Sequence, residues 1–293
     1  MTHLNRLITW THEGIEWESD PRHVDLLLRD IGVQSCKVTY PLVKEKVESL
    51  DQEDTELPVE EQYAYRSNTM RMGYLSHDRT DLQRTVRELA KGMQAPTLRH
   101  LEMLKRAARY LKYAPRAVQL FPWQRLIKDL DSYCDTDHAG CIRTRKSTSG
   151  GVLMLGKCMN KSYCRGQSVI ALSSGEAEYY GLVSVISESL GFKSMAADFN
   201  VKVSIVVHMD ATAGAAIGSR RGLGKVKHVD TAFLWVQEHV QKGTVVIKKV
   251  HTSLNLADIL TKAIDGQLLR RMMLQMGFVF PVGRHTLGLG VVK

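Results

Sequence analysis

With 293 residues the chain is long enough for two domains, and a hydrophobic share of 44% provides for a sizeable core and excludes global disorder. A net charge of +9 and a pI of 9.3 point to an anionic partner, nucleic acid being the usual one, although a merely soluble basic protein fits the charge equally well. The longest apolar run, "VSIVVHM" (203–209), is only strand-sized, the N-terminus lacks a secretory pattern, and the five cysteines are sparse and odd in number. No membrane partner is therefore expected, and the thiols fit a reducing, intracellular setting, cytoplasm or nucleus.

Along the chain, the acidic stretch 44–62 reads as a solvated linker. Two amphipathic helices follow. In "TDLQRTVRELAKGM" Leu82, Val86, Leu89 and Met93 form the stripe, and Thr80 and Gln83 are spaced as a capping box. In "TLRHLEMLKRAARYLKY" Leu101, Leu104, Ala108 and Leu111 repeat it after Pro96-Thr97. From about residue 126 the texture changes. Strands are expected at 129–135, 148–155 and 167–172, a helix over 174–190 ended by Gly191, and a buried strand "VSIVVHMD". A short helix "ATAGAAIG", a helix over 230–243, a strand "TVVIKKV" and a last helix over 255–264 complete the pattern. Such an order predicts an α/β fold, a mixed sheet flanked by helices.

Four acids fall at comparable places, the end of a strand or the first turn of a helix: Asp135, Glu176, Asp210 and Asp258. Open α/β sheets place sites beyond strand ends, so the four can converge on a divalent cation. Each also has a structural reading. Ser173 and Glu176 match a capping box, Asn255 and Asp258 share that offset, Asp210 can cap "ATA", and Asp135 can belong to a turn. Residues two apart on a helix face different ways, so Glu176 and Glu178 are not expected to serve one site; Glu176, nearer the strand ends, is preferred. Two basic loops flank the acids, "RTRKSTS" (Arg143, Arg145, Lys146, Ser147) and "SRRGLGKVKH" (Arg220, Arg221, Lys225, Lys227, His228), and either grips phosphates or is simply solvated.

Taken together, "YCDTDHAG…TRKSTSGG", "QSVIALSSGEAEYYGL", "VVHMDATAGAAIG", "KVKHVDTAFLWVQEHV" and "NLADILTK" resemble the ribonuclease H domain of copia-type retrotransposon Pol polyproteins. The upstream "YRSNTMRMGYLSHDRTDLQRTVRELAKGM…TLRHLEMLKRAARYLK" resembles the segment joining reverse transcriptase to that domain. The resemblance spans roughly residues 60–275 and, more loosely, the first forty. It implies a ribonuclease H-like five-stranded mixed sheet over 126–280, preceded over 1–125 by a helical remnant of the reverse transcriptase thumb or connection region, with 281–293 as a tail. His138 departs from the family's usual tryptophan. There is no Tyr-x-Asp-Asp motif, so no polymerase active site is expected in this chain.

By the same resemblance Asp135, Glu176, Asp210 and Asp258 correspond to the family's metal-binding acids, with Asp137 a neighbour. The implied activity is endonucleolytic hydrolysis of the RNA strand of an RNA–DNA hybrid by two Mg²⁺ ions, with Mn²⁺ an alternative. Asp135 would bridge both ions, Glu176 and Asp210 complete one shell, and Asp258 the other. Ser173 and Ser174 are placed to meet the 2′-OH that distinguishes RNA from DNA, unless Ser173 serves only as an N-cap. His251 is a candidate for moving protons on the product side. The implied partners are the hybrid and the polymerase portion of the same polyprotein; the rival reading is a catalytically inactive nucleic-acid-binding remnant.

Overall fold

The computed structural model describes residues 1–39, 54–222, 234–283, 285 and 288. Its contacts divide the chain into two units, Met1–Trp123 with Ala263–Lys293, and Gln124–Lys262.

In the first unit residues 1–39, for which no individual strands were expected, form β1 (Thr2–His3), β2 (Arg6–Trp10), β3 (Gly14–Glu18) and α1 (Arg22–Asp30). With β4 (Val118–Pro122) and β10 (Phe278–Val279) the strands make an antiparallel sheet in the order β1-β2-β3-β4-β10. The segment is thus not only helical, as the resemblance implied. The linker expected at 44–62 lies outside the described residues up to 53, and its end already belongs to α2 (Val59–Ser76). That helix escapes a hydrophobic-period reading because its buried face mixes Tyr65, Met72 and Leu75 with Asn68, Thr69 and Ser76.

Helix α3 (Thr80–Ala90) starts without the Thr80–Gln83 box: Arg79 is the N-cap residue, and Gln83 donates to the Ser76 carbonyl instead. Helix α4 (Leu98–Tyr113) begins as expected, Thr97 forming a capping box with His100. The stretch 263–280, expected with the second domain, packs in the first unit. There α9 (Gly266–Gln275) buries Leu269, Met272 and Met273, and β10 extends the sheet.

The second unit is built on β5 (Asp129–Asp137), β6 (Thr148–Leu155), β7 (Cys158–Gly166), β8 (Ser204–Met209) and β9 (Val245–Lys249). The order is β7-β6-β5-β8-β9, with β5-β6 and β6-β7 antiparallel and β5-β8 and β8-β9 parallel. This is the ribonuclease H-like mixed sheet. Strand β7 takes the place of the strand expected at 167–172, which instead forms bends leading into α5. The alternation of "CMNKSYCRG" is blurred by its exposed polar residues.

Helix α5 (Ser174–Asp198) continues through Gly191, where a stop was expected; its far end buries Ala196, whose carbonyl closes the helix by accepting from Phe199 and Val201. Leu182, Val185 and Ile186 pack onto Leu130, Leu153, Ile205 and Val207 of the sheet. Buried Ser132 and Ser189 pair hydroxyls at 2.8 Å within that layer, as buried polar groups must. Among the described residues the further α-helices of this unit are α6 (Thr212–Ser219), α7 (Trp235–Gln241) and α8 (Asp258–Thr261). The last is much shorter than the helix expected over 255–264.

Candidate active site

Three of the four acids meet. Asp135 lies near the C-terminal end of β5, the central strand, and Asp210 directly follows β8, which runs parallel to it. Asp258 opens α8. Carboxylate oxygens from Asp135, Asp210 and Asp258 lie within 4.8 Å of one another.

Close approach of α8 to β5 and β6 makes this possible. Gly150 pairs with Asp135 across the β5–β6 ladder, and a Cβ there would stand 2.7 Å from Leu260 Cβ. Only the missing side chain lets α8 lie so near the strands. The buried Asn255 side chain donates to the Cys134 carbonyl at 3.0 Å and accepts from the Ala257 N–H, and the Cys164 thiol donates to the Leu260 carbonyl. On the other face, a Cβ on Gly181 would come within 2.4 Å of Thr136 Cγ2, so α5 also sits tightly on β5.

Two residues that sequence reasoning missed sit among the acids. The Thr261 hydroxyl donates to Asp135 Oδ2. The Lys262 ammonium donates to Asp135 Oδ1 at 3.1 Å and Asp258 Oδ1 at 3.0 Å, and lies 3.9 Å from Asp210 Oδ2. Asp210 Oδ2 in turn accepts from Thr252 at 2.8 Å. The Asp258–Lys262 spacing of four was a readable ion-pair signal.

Glu176, expected as the fourth acid, is not among the three that meet here. Glu176 is buried, and its oxygens accept from the Leu172 N–H at 3.0 Å and the Tyr180 hydroxyl at 2.9 Å, while its own N–H donates to Ser173 Oγ. It holds the entry into α5. Glu178 instead faces the acids: burial, then Asp135 and more weakly Asp210, push its carboxyl up to about 8. Its Oε2 is buried without a hydrogen bond. The signal existed in the sequence, since Glu178 stands four residues before Leu182 and eight before Ile186 on the stripe that meets the sheet.

Burial likewise raises Asp135, against the pull of Lys262 and Thr261. Burial and the Asp135 charge take Asp258 up to about 7. Although burial opposes it, Asp135 and Asp258 hold the Lys262 ammonium well above the usual lysine range. Crowded carboxylates with raised affinities for protons, and one buried oxygen without a partner, are a donor set suited to a hard divalent cation.

The expected substrate contacts divide. Arg143 and Arg145 are exposed and Lys146 half-buried in the turn between β5 and β6; Ser147 is fully buried and accepts from the Ala139 N–H, so it shapes that turn rather than a surface. Ser173 and Ser174 are exposed at the start of α5, Ser173 as its N-cap. Arg220 and Arg221 follow α6, Arg221 donating to Gln241. Lys225, Lys227 and His228 lie outside the described residues. Asp137 lies against Gly140 in the turn, and His251 pairs with Ser253 Oγ at 2.9 Å.

No family model matches the chain. Over 247 residues it is 28% identical to the "Retrovirus-related Pol polyprotein from transposon RE1" of Arabidopsis thaliana, covering 83% of this chain and 16% of that protein. Over 255 residues it is 24% identical to the corresponding polyprotein from transposon TNT 1-94 of Nicotiana tabacum, covering 85% and 19%. The chain thus spans less than a fifth of the length of these relatives. Among solved structures, LC11-RNase H1, isolated from compost by a metagenomic approach, aligns with a TM-score of 0.33 and 17% identity, over 46% of this chain and 93% of that one. The chain is thus similar to the retrovirus-related Pol polyproteins of transposons over most of its own length, and its second unit has the ribonuclease H-like fold.

Proposed function

We propose that the chain is a divalent-metal-dependent endonuclease that hydrolyses the RNA strand of RNA–DNA hybrids, within a retrotransposon reverse transcription machinery. The observation that supports this reading is the meeting of Asp135, Asp210 and Asp258 oxygens within 4.8 Å at the end of the central strands, with Glu178 turned toward them.

In this reading Asp135, Asp210, Asp258 and Glu178 hold Mg²⁺, with Mn²⁺ an alternative, and Glu176 is a structural residue. Two such ions, when bound, supply an activated water and stabilise the leaving 3′ oxygen. Asn255 and Gly150 fix α8 against β5, and Thr261 orients the Asp135 carboxylate. Arg143, Arg145, Lys146, Arg220 and Arg221, together with Lys225, Lys227 and His228, contribute phosphate contacts that set affinity and salt dependence. Ser173 and Ser174 stand at the start of α5 to meet the 2′-OH. The first unit is the remnant of the reverse transcriptase connection, its partner the polymerase portion of the polyprotein. Five free thiols fit an intracellular setting.

The test is cleavage of an end-labelled RNA–DNA hybrid with Mg²⁺ by the full chain and by Asp135→Asn, with double-stranded RNA and DNA as controls. Hybrid-only cleavage lost in the variant supports the reading. Hybrid binding without cleavage makes the chain an inactive binding module.

A further inference from the structure

Lys262 extends the reading of the acid cluster as a metal site, and the inference rests on that reading. Its ammonium stands 3.1 Å from Asp135 Oδ1, 3.0 Å from Asp258 Oδ1 and 3.9 Å from Asp210 Oδ2, so one side chain addresses all three acids that approach within 4.8 Å. A Mg²⁺ ion sits about 2.0–2.1 Å from its oxygen ligands. An ion drawing on these oxygens would therefore fall on the ammonium or directly beside it, where two cations repel strongly.

We infer that Lys262 is a built-in counter-cation that competes with divalent metal for the Asp135 and Asp258 oxygens and swings away as the ion enters. The local structure suits such an exchange. Lys262 is the C-cap of α8, already extended at φ −109° and ψ 149°, and its side chain is 39% exposed, so the flexible stem has an open route to solvent. The acids do not depend on the lysine for their placement. Asn255 ties the α8 entry to Cys134, Gly150 admits the helix, Cys164 binds the Leu260 carbonyl, and Thr261 holds the second oxygen of Asp135. The ammonium is thus the movable member of a fixed frame. Its presence relieves carboxylate repulsion when the site holds no metal, and lowers apparent metal affinity by the work of displacing it.

The decisive experiment is calorimetric titration of MgCl₂ into the full chain, its Lys262→Met variant and its Lys262→Arg variant, with thermal melts in EDTA and in Mg²⁺. Competition predicts that Lys262→Met binds Mg²⁺ more tightly by about tenfold or more, melts lower in EDTA, and recovers when Mg²⁺ is added. Lys262→Arg keeps the charge and should stay near the parent. Equal or weaker binding by Lys262→Met overturns the inference while leaving the metal site standing. Absence of binding by both parent and Lys262→Met overturns the metal reading and this inference together.

A second measurement needs no variant. Acylation of Lys262 in the parent chain by an amine-selective reagent, followed by peptide mass spectrometry, should rise several-fold on adding Mg²⁺ as the ammonium is released. Unchanged or reduced labelling in Mg²⁺ contradicts displacement even if the methionine variant does not fold.

Discussion

The Asn255 side-chain amide donates to the backbone carbonyl of Cys134 at 3.0 Å, joining residues 121 positions apart, and Cys134 directly precedes Asp135. Asn255 is fully buried and also accepts from the Ala257 N–H, one residue before Asp258. A single side chain therefore ties the segment that leads into Asp258 to the strand that carries Asp135. Asn255→Ala should strand buried polar groups, lower stability by about 1–3 kcal/mol, and weaken Mg²⁺ binding. Thermal melts and calorimetry check both parts; unchanged metal affinity would show that Asn255 serves only the fold.

Gly150 faces the same helix from the neighbouring strand. Gly150→Ala would place a Cβ 2.7 Å from Leu260 Cβ and 3.0 Å from Thr261 Cγ2. The helix must shift outward, at a cost of about 1–3 kcal/mol, and carry Asp258 away from Asp135. Hybrid cleavage should fall more than the melt alone explains, which is read at a temperature where the variant remains folded.

Glu176 and Glu178 should separate cleanly. Glu178→Gln removes a carboxylate that faces Asp135 and should reduce hybrid cleavage by about 10²-fold or more with the fold intact. Glu176→Ala removes the acceptor of the Leu172 N–H and the Tyr180 hydroxyl, lowering stability by about 1–3 kcal/mol while the folded fraction still cleaves. The reverse pattern would restore Glu176 as the metal ligand.

The acids also predict how stability depends on pH. Glu178 rises from 4.5 to about 8 and Asp258 from 3.8 to about 7, so between those limits the folded chain binds more protons than the unfolded chain. Folded stability in EDTA should therefore fall as pH rises through that window. Lys262, raised from 10.5, adds stability that is lost only above the window, and the lowered carboxyls of Asp20, Asp30 and Glu188 act at its acid end. The difference in melting temperature between the parent and Glu178→Gln isolates one group. The variant should gain on the parent as pH rises from 5 to 8 in EDTA, and saturating Mg²⁺ should narrow the gap, since metal replaces the protons.

In the first unit, Arg79 and Asp81 pair at 2.7 Å with both side chains fully buried, and the Tyr110 hydroxyl donates to the same carboxylate at 2.7 Å. Asp81→Ala leaves a buried guanidinium without its counter-charge and should cost about 3–5 kcal/mol. Denaturant unfolding followed by the signal of the first unit checks this.

The sequence by itself determined the elements whose local chemistry is self-sufficient. The alternation in "DLDSYCD", the Val-rich "VSIVVHMD" and the stripe of α5 needed no partner to be read, and Asp135, Asp210 and Asp258 were legible from their places at strand ends and a helix start. The tertiary structure alone decided the rest. Helix α2 buries polar residues, and β4 pairs with β3 and β10, strands distant along the chain, so neither leaves a periodic trace. That Glu178, and not Glu176, turns toward the acids depends on which face of α5 meets β5, where Gly181 packs tightly on Thr136. Thr261 and Lys262 became part of the site because Gly150 and Asn255 bring α8 onto the central strand. Chemistry of single residues is written along the chain, but the charge around a carboxylate depends on which distant segments pack beside it.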